Sequence, residues 1–170
     1  MTTTIRLVVL TIMLTQFNIA FADEVAYFGD RNPAAETCFE QTTLAAQGGD
    51  AATLSVTACN KALRSGSHSR EYRSAVYHNR ALIELALGQP KVARESLEIA
   101  VDLAPKVGLQ HLSLAQLAFR QGDYHHASAL YDALLSVDNA HPLIASNREL
   151  LQRNRDQIAQ MSALASISIK

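Results

Sequence analysis

The sequence has no tryptophan, only two cysteines and four prolines, and no excess of either charge, with 15 Lys and Arg against 16 Asp and Glu in 170 residues. Near-neutrality, with the cations scattered among acids, excludes the basic stripe that marks a nucleic-acid-binding surface. Two cysteines alone undersupply a zinc site, and they are not spaced as the CxxC of a redox pair. Prolines are rare, and no alternating β-branched run of useful length follows the first 22 residues, so a sheet is not expected. The one long apolar run, Leu7 to Leu14, is too short to cross a bilayer, which takes about 20 apolar residues.

That run sits between a short basic start, Met1 to Arg6, and a small-x-small end at Ala20-Phe21-Ala22. These three parts in this order make a secretory signal peptide over residues 1–22, with cleavage before Asp23. No basic stop-transfer segment follows, and the residue after the cleavage site is Asp23 rather than a cysteine, so neither a stable membrane anchor nor a lipid anchor is expected. The exported chain, residues 23–170, has the length of one domain and is expected in the periplasm, with secretion the lesser alternative. The full chain, at 48% hydrophobic and 18% charged residues, can build a core. Ala, Leu, Gln, Glu and Arg predominate after the signal, a helix-forming vocabulary.

Two segments align without a gap: YHNRALIELALGQPKVARESLEIAVDLAP at 77–105 and HLSLAQLAFRQGDYHHASALYDALLSVDN at 111–139. Gly88 and Gly122 are 34 residues apart, as are Ala81 and Ala115, Ala93 and Ala127, and Leu97 and Tyr131. Small residues placed symmetrically about a glycine turn let two antiparallel helices approach closely, and the glycine supplies the positive φ that ends the first of them. Leu97, Ile99, Val101 and Leu103, like Leu130, Leu134 and Leu135, are then positioned to cover the neighbouring unit. A single hairpin cannot bury its apolar face alone, so stacking of units supplies the core. The spacing places a second unit at 74–107 and a third at 108–141. Upstream, helical pattern from Ala34 to Gln47 breaks at Gly48-Gly49-Asp50 and resumes from Ala51 to Arg64, giving a degenerate first unit over 34–64. The polar stretch SGSHSRE then shifts it out of register. Residues 23–33 read as an irregular lead-in, 142–165 as an amphipathic capping helix, and 166–170 as a fraying tail. Glu149 stands where the next small residue of the repeat would fall, a polar substitution suited to a terminal cap.

The period and the small residues resemble the tetratricopeptide repeat, most closely in residues 77–105 with Tyr77, Ala81, Gly88, Ala93, Ala100 and Pro105. The resemblance implies an all-α fold, a right-handed superhelix of antiparallel helix pairs with a C-terminal capping helix. It also implies a concave groove lined by the first helix of each pair. Carried over by alignment, that groove is offered by Ala75, His78, Asn79, Leu82 and Leu85 in the second unit. The third unit offers Leu109, Leu112, Ser113, Gln116, Phe119 and Arg120, and the first contributes Phe39, Glu40 and Thr43. Asn79 is suited to a peptide backbone because an amide both donates and accepts. Leu82, Leu85 and Phe119 have two readings, open groove or packing beneath the cap and the adjacent unit. The flanking cations that clamp a C-terminal carboxylate in some such arrays are absent, with Leu109 and Ser113 in those places.

Cys38 and Cys59 are the only cysteines, and an exported chain favours pairing them. In a helical hairpin, facing residues are symmetric about the turn, and the midpoint of this pair falls between Gly48 and Gly49. A structural disulfide clamping the first hairpin is expected. His111, His125, His126 and His141 lack the i,i+4 spacing of a helical metal pair, so no metal or cofactor is expected. Glu95 and Glu98, like Asp123 and Asp132, read as solvated helix faces, and no nucleophile or phosphate-binding motif appears. The expectation is a non-catalytic scaffold that binds a peptide or protein partner through the groove. The alternative is an accessory subunit of an envelope complex that self-associates or folds fully only with its partner.

Overall fold

The computed structural model describes residues 32–66, 68–137, 145 and 148–167. The expected signal peptide and nearly all of the lead-in lie outside the described residues, as do His141, Pro142 and the last three residues. Among the described residues there are seven α-helices and no strand: α1 Pro33–Ala46, α2 Thr57–Arg64, α3 Arg70–Ala86, α4 Pro90–Leu103, α5 Gly108–Arg120, α6 Tyr124–Ser136 and α7 Arg148–Ile167. None of them is long and apolar enough to cross a membrane.

Local chemistry sets the helix boundaries. Asn32 accepts the Ala34 backbone N–H at 3.0 Å and Pro33 fills the first turn, so α1 starts there. The same Asn32 amide donates to Ser65 Oγ at 2.8 Å and Tyr72 Oη at 3.0 Å, tying the start of α1 to the end of α2 and to α3. Ser69 caps α3 through Tyr72 N, and Asp123 caps α6 through His126 N. Gly88 and Gly122, at φ 71° and 78°, close α3 and α5 with the same bonding pattern. Gln89 N donates to Glu84 O at 2.8 Å and Asp123 N to Ala118 O at 3.0 Å, so the residue past each glycine reaches back five positions.

Consecutive helices pack on one another as a solenoid of helix pairs: α3 on α4, α4 on α5, α5 on α6, and α6 on α7, with α1 against both α2 and α3. Ala81, Ala93, Ala115 and Ala127 are all fully buried at the helix crossings. One core runs from α3 to α7 through Leu97, Leu117, Tyr131, Leu134, Leu151 and Ile158. A second joins α1, α2 and the start of α3 through Cys38, Leu54, Cys59, Tyr72 and Val76. The 34-residue spacing continues into α7 at a position that the sequence alignment did not reach: Ile83, Leu117 and Leu151 are all buried. Glu149, in register with Ala115, is exposed.

Three expectations need correction. The second helix of the first unit does not run from Ala51 to Arg64. Ala51–Thr53 forms a 3₁₀ turn, Leu54 is extended, and α2 begins only at Thr57. Hydroxyls compete with the helix here: Thr53 Oγ1 donates to Asp50 O at 2.7 Å, and Thr57 N donates to Ser55 Oγ at 3.2 Å. Ser55 N meanwhile donates to the Gln41 side chain of α1 at 2.9 Å. The expected tail overlaps helix, since α7 extends to Ile167. Ile99 does not cover the neighbouring unit; it is exposed on the outer side of α4, whereas Leu97 is fully buried.

Candidate functional site

Helices α1, α3 and α5 are the first members of their pairs, and all the groove residues expected from the sequence lie on them. Polar bonds hold the three in register. Thr42 Oγ1 of α1 lies 2.8 Å from Cys38 O and 3.2 Å from Asn79 O of α3, sharing its one proton between them. His78 Nε2 of α3 lies 2.8 Å from Ser113 Oγ of α5. Ser74 Oγ donates to Ala100 O of α4 at 2.7 Å and accepts from Gln110 Nε2 of α5 at 3.3 Å.

Of the seven residues expected to carry binding, His78, Asn79, Leu82, Leu112 and Gln116 are buried, Phe119 is half-buried and Arg120 is exposed. Leu112 belongs to the main core, and Phe119 rests against Tyr124 with ring centroids 5.6 Å apart. Ala75, Leu109 and Ser113 are also buried, while Phe39 and Thr43 are half-buried and Glu40 is exposed.

The structure brings Leu82, Leu85 and Arg120 together. With Ala45, Ala46 and Ala86 they line a cavity of about 220 Å³ where the C-terminal ends of α1, α3 and α5 converge. Among the described residues, five of the six that line it are apolar and Arg120 is the single charge. Ala45, Ala46 and Ala86 were missed by sequence reasoning. Their signal was positional, a small residue just ahead of the glycine turn in two successive units, at Ala46 and Ala86.

A second polar cluster lies behind this face, between α3 and α4. Glu84 is buried, and its carboxylate meets Arg80 Nε at 2.9 Å and Ser96 Oγ at 2.7 Å. Arg80 also donates to Asn60 Oδ1 at 3.2 Å and lies over the Tyr77 ring, linking three helices. At the outer turn, the Arg94 guanidinium contacts Gln121 and lies 3.4 Å from Asp123 Oδ2. Partial burial pushes the Asp123 carboxyl up, but the His126 backbone N–H, the Arg94 guanidinium and the His126 ring together hold it below the usual carboxylate range.

The histidines are dispersed. His111 Nε2 lies 2.9 Å from Pro105 O, His126 stands beside Asp123, and His125 is exposed. Among the described residues, no three His, Cys, Asp or Glu side chains are grouped to hold a metal. Cys38 and Cys59 are joined as a disulfide with Cα atoms 4.7 Å apart, both sulfurs inside the second core.

Residues 74–107 match the family model described as tetratricopeptide repeat, the span read from the sequence as the second unit. No curated protein and no solved structure matches the chain.

Proposed function

We propose that this chain, matched to the tetratricopeptide repeat at residues 74–107, is a non-catalytic interaction scaffold of the bacterial periplasm. Its partner, a peptide or a protein segment, docks on the face of α1, α3 and α5. The observation that carries this reading is the apolar cavity at Leu82, Leu85 and Arg120, a concave site at the meeting of three first helices of a repeat array. Concave, mostly apolar sites with a few placed polar groups are the usual form of a binding site. The periplasmic part rests on the basic-apolar-small pattern of residues 1–22 and on the Cys38–Cys59 disulfide, a bond that persists in oxidising compartments.

The docking face is tested by placing a photoreactive residue at Leu85 and, as control, at Val92 on the exposed side of α4. A crosslinked partner from Leu85 alone supports the face; equal crosslinking from Val92, or from Val92 only, overturns it. Export is tested by sequencing the N-terminus of the protein recovered after osmotic shock. A start at Asp23 is expected, and an uncut protein retained with the spheroplasts defeats the assignment.

The accessory-subunit reading has one observation in its favour. Leu164 is 67% exposed near the end of α7, an apolar side chain suited to contact with a second copy. Sedimentation of the protein and of Leu164→Glu separates the readings, because self-association through this end would be lost in the variant.

A further inference from the structure

The lining of the cavity also says what kind of segment fits it, on the premise that this face is the docking site. Its apolar residues, Ala45, Ala46, Leu82, Leu85 and Ala86, offer room of about 220 Å³, on the scale of a single large apolar side chain. The one charged residue in its lining, among the described residues, is a donor, Arg120. Arg120 is exposed in the last turn of α5 and forms no ion pair among the described residues. The acid nearest along α1 is Glu40, five residues before Ala45 and so about 7 Å along the helix axis. An apolar recess with a cation in its lining is complementary to an apolar side chain with a carboxylate beside it.

We propose that this end of the face recognises an acidic-apolar segment of a partner protein. A Leu, Ile, Met or Phe side chain fills the recess between Leu82 and Leu85. An Asp or Glu side chain one or two positions away pairs with the Arg120 guanidinium. The carboxylate is a side chain rather than a chain terminus, so the segment needs no free end.

The test uses the protein expressed from the full chain and a phage-displayed library of random 12-residue peptides. Enriched peptides are expected to carry Asp or Glu within two positions of a large apolar residue. In fluorescence polarisation, Arg120→Glu should weaken the best peptide roughly tenfold, the scale of a lost charge-assisted bond. Replacing that peptide's acid by lysine should restore part of the loss in Arg120→Glu and not in the parent. Arg120 is exposed, so circular dichroism of the variant should match the parent. Peptides that lack an acid, or an affinity unchanged by Arg120→Glu, overturn the proposal. If Leu85→Arg still abolishes binding in that case, the docking face stands and only its acid preference falls. If Leu85→Arg also binds normally, or if no peptide is enriched, both the proposal and the docking face fall.

Discussion

His78 Nε2 and Ser113 Oγ lie 2.8 Å apart between α3 and α5, both side chains buried, so a residue pair on the expected binding helices also joins two units of the repeat. A buried hydrogen bond of this kind fixes how far α5 is displaced from α3, and hence the shape of the face they share. Breaking it by Ser113→Ala leaves an imidazole nitrogen deprived of that partner. The expected cost is about 1–3 kcal/mol in urea denaturation. If His78 and Ser113 acted only as ligand contacts, Ser113→Ala would leave the denaturation midpoint unchanged.

The disulfide closes a sequence separation of 21 residues around the least regular unit. Constraining a loop of that size is worth about 3 kcal/mol in the chain-entropy model. The Cys38→Ala/Cys59→Ala protein should therefore unfold at lower denaturant than the oxidised parent. The first unit should lose amide-exchange protection before α5 and α6, because α1 and α2 share the second core rather than the main one. Uniform loss of protection across all helices would contradict that division.

Gly122 adopts φ 78°, and among the described residues nothing lies within 4 Å of where a Cβ would be, so the backbone conformation opposes substitution. Gly122→Ala should cost roughly 1–2 kcal/mol. Gly122→Asn should cost less, since asparagine tolerates the left-handed region better. Equal destabilisation by the two would point to packing instead.

Asp123 caps α6 and contacts Arg94, and its carboxyl titrates below the ordinary range. A folded-state value lower than the unfolded one means that the ionised form favours folding. Its contribution is present above the unfolded value of about 4 and is lost as pH falls through the folded value. Asp123→Asn keeps a capping oxygen, so at pH 7 it should differ from the parent by no more than about 1 kcal/mol. The gap should close on acidification below about pH 4. A gap that widens with acid would reverse the assignment.

Arg80 lies beside Glu84, whose side chain is only 3% exposed. Removing the cation leaves a buried acid whose remaining side-chain partner among the described residues is Ser96. Arg80→Ala is expected to destabilise by about 3 kcal/mol, the scale of an uncompensated buried charge. The double variant Arg80→Ala/Glu84→Leu should recover part of the loss, and a strictly additive cycle in thermal unfolding would show that the two side chains are not coupled.

Much of the architecture was legible because a repeated hairpin imposes repeated local demands. Gly88 and Gly122 announce themselves through the φ that a helix-ending turn requires, and Ala81, Ala93, Ala115 and Ala127 through the closeness of the helix crossings. Cys38 and Cys59 could be paired from their symmetry about Gly48 and Gly49 even though α2 is shorter than its pattern, because the extended segment through Leu54 and Ser55 runs back along α1 before the helix begins. The shortening itself was hidden. It depends on the Gln41 side chain meeting Ser55, a contact between elements. Leu151 was within reach of the sequence, since the spacing from Ile83 to Leu117 repeats, but the small-residue positions drew the alignment to Glu149.

The sequence by itself determined an all-helical chain, its turns, its repeat length and its one covalent link, since each follows from local geometry or a fixed period. Only the tertiary structure decided which polar residues lie inside. The four-residue spacing of Arg80 and Glu84 says nothing of their burial, which follows only from α4 bringing Ser96 against the carboxylate. His78 and Asn79 read as open binding residues, yet both are buried where α1, α3 and α5 exchange hydrogen bonds. Burial is a property of what packs above a side chain, and that is set by neighbouring helices rather than by its own. The same holds for Leu82, Leu85 and Arg120, which become one recess only where the ends of three helices meet.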